Sequence, residues 1–96
     1  MKELHELAAK AHRKAAQMQN ECARHPTYKN AEVATRSTGK ATSATGRTIS
    51  KEAQTWSDKA GEAAWEANMD GPLGYTGHRR AARYHTKAAL VHEAIK

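Results

Sequence analysis

A chain of 96 residues with a net charge of +6 and 39% hydrophobic residues has room for one domain around one small core. Alanine supplies much of that hydrophobic share and phenylalanine is absent, so burial removes little apolar area from water and limits stability. No apolar run approaches the roughly 20 residues that span a bilayer, and a single cysteine excludes an internal disulfide. We therefore expect one cytoplasmic domain over residues 1–96, with no membrane partner.

The two ends of the chain carry the same seven-residue repeat. Histidine recurs near the N-terminus and again near the C-terminus, at His5, His12, His78, His85 and His92. The first four are each followed, three and four residues later, by a pair of alanines. A seven-residue repeat of small apolar residues is typical of a helix whose seam packs against another helix. Both ends are therefore predicted to be helices.

The middle of the chain, from about residue 30 to 68, continues the same period in smaller and more polar residues. We interpret it as one long helix. Gly39, Gly46 and Gly61 each cost about 1 kcal/mol relative to alanine in a helix, and we attribute them to close approach of a neighbouring backbone. The alternative is a break between Thr45 and Ser50, with Ser50 capping a second helix that begins at the next residue. Continuity is the favoured prediction.

Two turns interrupt the pattern. His25 precedes Pro26, which pushes it out of the helical region and ends the first helix, and Thr27 is placed to cap the next one. A second turn, rich in glycine and proline, lies between residues 68 and 77. We expect Thr76 to cap the last helix.

These elements predict an all-α fold of helical hairpins: a short helix, a long central helix that is either continuous or broken, and a second short helix. Its packing would use alanine, serine, threonine and glycine in heptads. The large apolar residues are expected to form the best part of the core at mid-molecule, with Trp56 and Trp65 as packing anchors. These apolar residues are Leu4, Leu7, Ile49, Leu90, Val91 and Ile95. Such a layer leaves part of the central helix uncovered, so we expect a homo-oligomer, most simply a dimer that completes a bundle.

The histidines raise the question of a metal site. Two histidines seven residues apart on one helix are separated by about 10 Å, so a shared metal would need ligands from another helix or subunit. The simpler prediction is that each ring edges the alanine seam, with part of the ring packed and one nitrogen in water. We predict no metal and no cofactor.

The second turn suggests an anion site. Gly74 and Gly77 lead directly into His78, Arg79 and Arg80, and backbone N–H groups at a helix start, flanked by guanidinium groups, are a common way to hold a phosphate or carboxylate. These five residues are the candidate anion-binding site. The alternative is an ordinary turn, because the spacing matches no established phosphate-binding loop.

A partner surface is predicted on the last helix. Arg79, Arg80, Arg83, Tyr84 and Lys87 place four cations and an aromatic ring within nine residues, and arginine and tyrosine are enriched where interfaces derive most of their binding energy. The same charge admits a nucleic-acid partner. However, the basic residues are spread along the whole chain and no recognition module is present, so only loose, salt-sensitive binding is expected.

Catalytic residues are not indicated, because Cys22 lacks a base with an orienting partner and no paired-carboxylate motif occurs. The composition is similar to that of many small helical proteins of bacteria and phages. The leading hypothesis is a non-enzymatic helical interaction module that binds another macromolecule, such as an accessory or inhibitor protein. The alternative is a basic, non-sequence-specific nucleic-acid-associated protein, and the third is a metal- or anion-binding helical bundle.

Overall fold

The computed structural model describes residues 2–70 and 74–95 and contains four helices within them. These are α1 (Lys2–Arg24), α2 (Tyr28–Gly46), α3 (Lys51–Asp70) and α4 (Gly74–Ala94). The described residues outside them form short connections without strands. The predicted all-α fold is confirmed.

The central segment is two helices, so the favoured prediction of one continuous helix was wrong. α2 ends at Gly46, and α3 begins at Lys51. Ser50 caps α3, because its Oγ accepts the backbone N–H of Ala53 at 3.2 Å and its carbonyl accepts that of Gln54 at 3.0 Å. Threonine and glycine are poor helix formers, and with a serine positioned to cap, they end the helix where the alternative placed the break.

The first turn follows the prediction. α1 ends at Arg24, just before His25 and Pro26. The Oγ1 of Thr27 accepts the backbone N–H of Asn30 at 3.0 Å, as an N-cap does. The side chain of Asn30 also donates to the carbonyl of His25 at 2.8 Å, which fixes the chain across the turn.

The second turn differs from the prediction at its helix start. α4 begins at Gly74, ahead of Thr76, so Thr76 lies inside the helix and is not its N-cap. The part of the predicted turn at residues 71–73 lies outside the described residues.

The four helices pack in sequence as an antiparallel bundle. α1 lies between α2 and α4, and α3 packs extensively on α4 and less closely on α2. The Cα trace measures 40 × 19 × 16 Å, a narrow cross-section that follows from the small residues at the helix contacts. Because the chain folds into four helices instead of three, it covers its own core. The uncovered helix from which we predicted a dimer is therefore not present, and dimerisation stays a prediction.

The buried apolar residues are small without exception among the described residues. They are alanines on all four helices together with Cys22. The expected core of large side chains was wrong, because Leu7, Ile49, Leu90 and Ile95 are exposed. Leu4 and Val91 are half-buried. Trp65 is also exposed and is not a packing anchor. Trp56 is half-buried on the surface.

The glycines divide into two kinds. A Cβ at Gly77 would lie 2.7 Å from the Cβ of Ala67 and 2.9 Å from its Cα, so only glycine lets α4 approach α3 this closely. A Cβ at Gly61 would make an ordinary 3.8 Å contact with Thr42, and one at Gly39 or Gly46 would meet nothing within 4 Å. The predicted close approach of a neighbouring backbone was therefore wrong for Gly39 and Gly46 within the chain. No described helix is long and apolar enough to cross a membrane.

Candidate functional site

The seven-residue repeat places a column of polar side chains inside the bundle. α1 contributes His5, His12 and Gln19, and α4 contributes His78, His85 and His92, all of them buried. Because α1 and α4 run antiparallel with the same period, each residue of one column lies at the level of one residue of the other. The alanines between these residues keep the two helices close enough for direct contact.

The histidines meet across the α1–α4 contact in two pairs. The Nδ1 atoms of His5 and His92 are 2.9 Å apart, and those of His12 and His85 are 2.8 Å apart. The ring centroids lie 5.1 and 5.0 Å apart, with the rings tilted. His12, His85 and His92 are at most 1% exposed, so the prediction that each ring keeps one nitrogen in water was wrong.

Two threonines of α2 form hydrogen bonds with the Nε2 atoms of three of these histidines. Thr45 Oγ1 lies 2.7 Å from Nε2 of His12 and 2.9 Å from Nε2 of His92. Thr38 Oγ1 lies 2.9 Å from Nε2 of His85. Both threonines are buried and, being seven residues apart, follow the same period as the histidines. The Thr45 hydroxyl therefore links the His12–His85 pair to the His5–His92 pair.

Gln19 extends the connection towards the other end of the bundle. Its Nε2 donates to Thr38 Oγ1 at 2.8 Å and to the carbonyl of Ala34 at 3.4 Å. Its Oε1 lies 2.6 Å from Nδ1 of His78, and Nε2 of His78 lies 3.5 Å from Sγ of Cys22. One connected set of hydrogen bonds thus runs through the core from Cys22 to His5.

The orientation of Gln19 gives these hydrogen bonds one direction. Because Oε1 of Gln19 can only accept, His78 donates from Nδ1 and its Nε2 accepts the thiol proton of Cys22. Thr38 accepts from Gln19, and Nε2 of His85 is the one other group within hydrogen-bond distance of its hydroxyl in the described residues, so the Thr38 proton is donated to His85.

The same direction continues through the histidine pairs. His85 donates from Nδ1 to His12, which donates from Nε2 to Thr45. Thr45 donates to His92, and His92 donates from Nδ1 to His5. Each inner member of this chain donates once along it and accepts once, so the inner histidines are neutral. We call these nine side chains the polar core chain: Cys22, His78, Gln19, Thr38, His85, His12, Thr45, His92 and His5.

Burial favours this neutral state. Desolvation, with the neighbouring His92 adding to it, lowers the pKa of His12 to about 4. Desolvation and the neighbouring His12 lower the pKa of His85 to about 3. Burial also lowers the pKa of His78, and burial together with His5 lowers that of His92. Near neutral pH these rings are uncharged, as the donor-to-acceptor direction of the polar core chain requires.

The hydrogen bonds within the polar core chain determine what chemistry its side chains can perform. Ring nitrogens that already bond one another or a hydroxyl have no lone pair directed at a common point. In the described residues, no group of three or more histidine, cysteine, aspartate or glutamate side chains is placed to hold a metal ion. Burial raises the pKa of the Cys22 thiol, which keeps it protonated. The polar core chain is suited to fixing the register of α1, α2 and α4.

The five candidate anion-site residues are divided between the interior and the surface. Gly74 begins α4, and Gly77 packs against α3. His78 is buried in the polar core chain. Arg79 and Arg80 are exposed, so of the five only these two present their side chains to solvent. The structure does not bring the group together around one point.

The predicted partner surface keeps its four cations on the outside of α4. Arg79 leans towards α1, where its Nη1 lies 3.3 Å from the side-chain oxygen of Asn20, and its guanidinium lies 5.4 Å from the ring centre of Tyr75. Arg80, Arg83 and Lys87 are exposed. None of the four forms an ion pair within the described residues.

Tyr84, the fifth member of the predicted surface, is half-buried. It packs on the alanine contact between α3 and α4 and stacks on Trp56 with ring centroids 5.9 Å apart. Lys59 and Lys87 lie 5.1 and 4.9 Å from the Trp56 ring centre, in cation–π contact. Tyr84 and Lys87 thus hold the α3–α4 seam closed at the surface.

Comparisons of the chain with protein-family models, with curated proteins and with solved structures found no match.

Proposed function

We propose that this protein is a non-enzymatic interaction module that binds another macromolecule, and that the partner is a protein. The observation that supports this most directly is the division of side chains between core and surface. The described core consists of alanine, cysteine and small or uncharged polar residues. Tyr28, Trp65, Met69, Tyr75 and other large apolar residues lie on the surface. Exposed aromatic residues amid polar ones mark interaction sites in small proteins.

The outer face of α4 is the surface that we assign to this partner. It carries the four cations of the predicted surface, none of which forms an ion pair in the described residues, with exposed Tyr75 near one end and exposed Leu90 near the other. Arginine and tyrosine supply large contact areas at interfaces, and cations without a carboxylate partner favour an acidic surface on the other side. An accessory or inhibitor protein that acts on an acidic target fits this description.

A nucleic-acid partner is the second candidate, favoured by the same strip of cations and by the net charge of +6. Phosphate binding depends steeply on salt because it releases counterions. A protein partner that also uses apolar contacts would depend on salt less steeply. A cytoplasmic location belongs to this proposal, because the one cysteine is a buried free thiol and needs no oxidising compartment.

The test is a comparison of matched baits. The unchanged chain, a variant with Arg79, Arg80, Arg83 and Lys87 replaced by glutamine, and a control with Lys10 and Lys14 replaced by glutamine would each be used for affinity capture with and without nuclease. Both replaced sets are exposed. We expect a protein captured by the unchanged chain and by the control, lost with the α4 variant, and unaffected by nuclease.

Other outcomes contradict parts of the proposal. Material rich in absorbance at 260 nm that is removed by nuclease or by moderate salt would establish the nucleic-acid candidate. Equal capture by the α4 variant would remove α4 as the binding surface. Turnover of a small substrate by the purified chain would contradict the non-enzymatic assignment.

A further inference from the structure

The outer face formed by α2 and α3 contains a basic half and an acidic half. Three exposed cations follow one another along α2 and just past its end, at Arg36, Lys40 and Arg47. On α3, three exposed carboxylates do the same, at Asp58, Glu62 and Glu66. This face is separate from the α4 surface assigned above.

Small residues on α2 give this face a shallow hollow. The cations Arg36, Lys40 and Arg47 surround Gly39 and Ser43, and together with Ala44 these residues line one open groove. Gly39 costs the helix about 1 kcal/mol relative to alanine, yet a Cβ at that position would meet nothing within 4 Å. Packing inside the chain does not explain this glycine, whereas close approach from outside does.

Large side chains on α3 project from the other half of the face. Trp65 is 64% exposed and Met69, one turn further on, is 68% exposed. Such exposure of a tryptophan and a methionine on the same side of one helix indicates a contact with another molecule.

The levels of the two helices can be matched from their contacts. Asn68 of α3 donates to Thr35 of α2, and Gly61 of α3 lies beside Thr42 of α2. Since the helices are antiparallel with the same rise per residue, Trp65 lies within about one residue's rise of the level of Gly39.

The charged residues of the two helices also lie at matching heights along the helix axis. Glu66 lies near the level of Arg36, Glu62 near that of Lys40, and Asp58 within about two residues of Arg47. Each of these α3 carboxylates therefore has one of the three cations at nearly its own height.

We infer that the α2–α3 face is a self-complementary interface that binds a second copy of this chain. A two-fold axis parallel to the helices places α3 of one copy over α2 of the other without changing the height of any residue. Each acidic residue then faces a cation, and Trp65 of one copy faces the hollow at Gly39 of the other.

The placement of residues around each helix agrees with this arrangement. Gly39 lies in a row with Thr35 and Thr42, on the side of α2 nearer α3. Trp65 lies in a row with Gly61 and Asn68, on the side of α3 nearer α2. The tryptophans and glycines thus fall at the centre of the interface, while the charges lie towards its rims, as in other protein interfaces. Arg36 already pairs with Glu32 on its own helix, and in the dimer it would be shared with Glu66.

The test is the molecular mass of the full chain by light scattering and sedimentation over a range of concentrations, at about 0.15 M salt to screen the repulsion between copies. We expect a dimer whose dissociation constant rises at least about tenfold in Lys40→Glu and in Glu62→Lys, because each change occurs twice in a two-fold interface. The combined variant should recover much of the loss. Lys10→Glu, at an exposed site on α1, is the matched control and should dimerise as the unchanged chain does.

Two further measurements separate a lost interface from a lost fold. Gly39→Gln should keep the helical circular dichroism, since nothing stands within 4 Å of the new Cβ, but should be monomeric. In a Trp56→Phe variant, the emission of Trp65 should move to shorter wavelength on dimerisation as that ring leaves water. A chain that stays monomeric at all accessible concentrations, or a dimer indifferent to the changes at Gly39, Lys40 and Glu62, would overturn the inference.

Discussion

Nδ1 of His12 on the first helix lies 2.8 Å from Nδ1 of His85 on the last, and both rings are fully buried. Two imidazoles can share such a short contact only if one carries a proton on that nitrogen and the other does not. A second proton in that contact would set two N–H groups against each other and place a positive charge in an interior with little water. The stability of the bundle is therefore tied to pH.

The first prediction is loss of stability in acid. The pKa of His12 is about 4 and that of His85 about 3 in the folded chain, against 6.5 as the ordinary value. The unfolded state therefore binds more protons below pH 6.5, and stability present above that pH is lost as pH falls towards about 3 to 4. The loss is on the order of several kcal/mol, comparable with the whole stability of a small domain. Urea unfolding between pH 7.5 and 4.5 measures it.

A free energy of unfolding that does not fall between pH 7.5 and pH 4.5 would contradict the presence of buried, uncharged histidines in the core.

The second prediction concerns Thr45, whose hydroxyl joins two histidines. Thr45→Val preserves the shape of the side chain but leaves Nε2 of His12 and of His92 without a partner in the core. We expect a loss of about 2–4 kcal/mol, since each unsatisfied buried group costs about 1–3 kcal/mol. Thr55→Val is the matched control, because that exposed hydroxyl only bonds a carbonyl of its own helix. Equal effects of the two changes would show that the hydroxyl link is unimportant.

The third prediction is a stabilising change at Ser57. Its Oγ is buried and has no hydrogen-bond partner within the described residues. Ser57→Ala should therefore raise the free energy of unfolding by about 1 kcal/mol beyond the gain in helix propensity. Ser43→Ala, at an exposed helical site, measures the propensity part alone. Thermal or urea unfolding of both variants gives the difference, and a destabilised Ser57→Ala would reveal a bond made by that hydroxyl.

The fourth prediction contrasts two glycines. Gly77→Ala places a Cβ 2.7 Å from the Cβ of Ala67 and 2.9 Å from its Cα, so α3 and α4 must move apart. We expect a loss of about 1–3 kcal/mol from overpacking. Gly39→Ala, measured at concentrations where the chain is monomeric, should instead stabilise by up to about 1 kcal/mol. If both changes stabilise the chain, the close contact at Gly77 is not a constraint.

Much of the fold could be predicted from the sequence, because the repeat of His5 and His12 recurs at the other end of the chain and helix period is a strong signal. The end of α1 and the cap at Thr27 followed from local chemistry around Pro26. The break after Gly46 was recognised only as the alternative, since Ser50 is equally compatible with the interior of a helix. Propensity alone did not decide between them.

The site was harder to predict, because pairing between distant residues depends on which helices become neighbours. The sequence shows that Thr38 and Thr45 share the period of the histidines, and this was the available signal. It does not show that α4 would pack on α1 and bring His85 to His12. The large apolar residues misled for a related reason. Histidine and glutamine occupy the larger core positions and alanine the remaining contacts, so Leu7 and Trp65 lie outside.

The orientation of one amide sets the protonation pattern of the whole core. Turning the Gln19 side chain over would exchange its oxygen and nitrogen, and every hydrogen bond from Cys22 to His5 would have to reverse with it. The carbonyl of Ala34 opposes this, because it accepts from Nε2 of Gln19 and would then face an oxygen. A single glutamine thereby selects which of two tautomers each histidine adopts, including His5, about 20 Å away along α1. The hydrogen bonds of the interior therefore all run in one donor-to-acceptor direction and form one polarised unit, instead of a set of separate contacts.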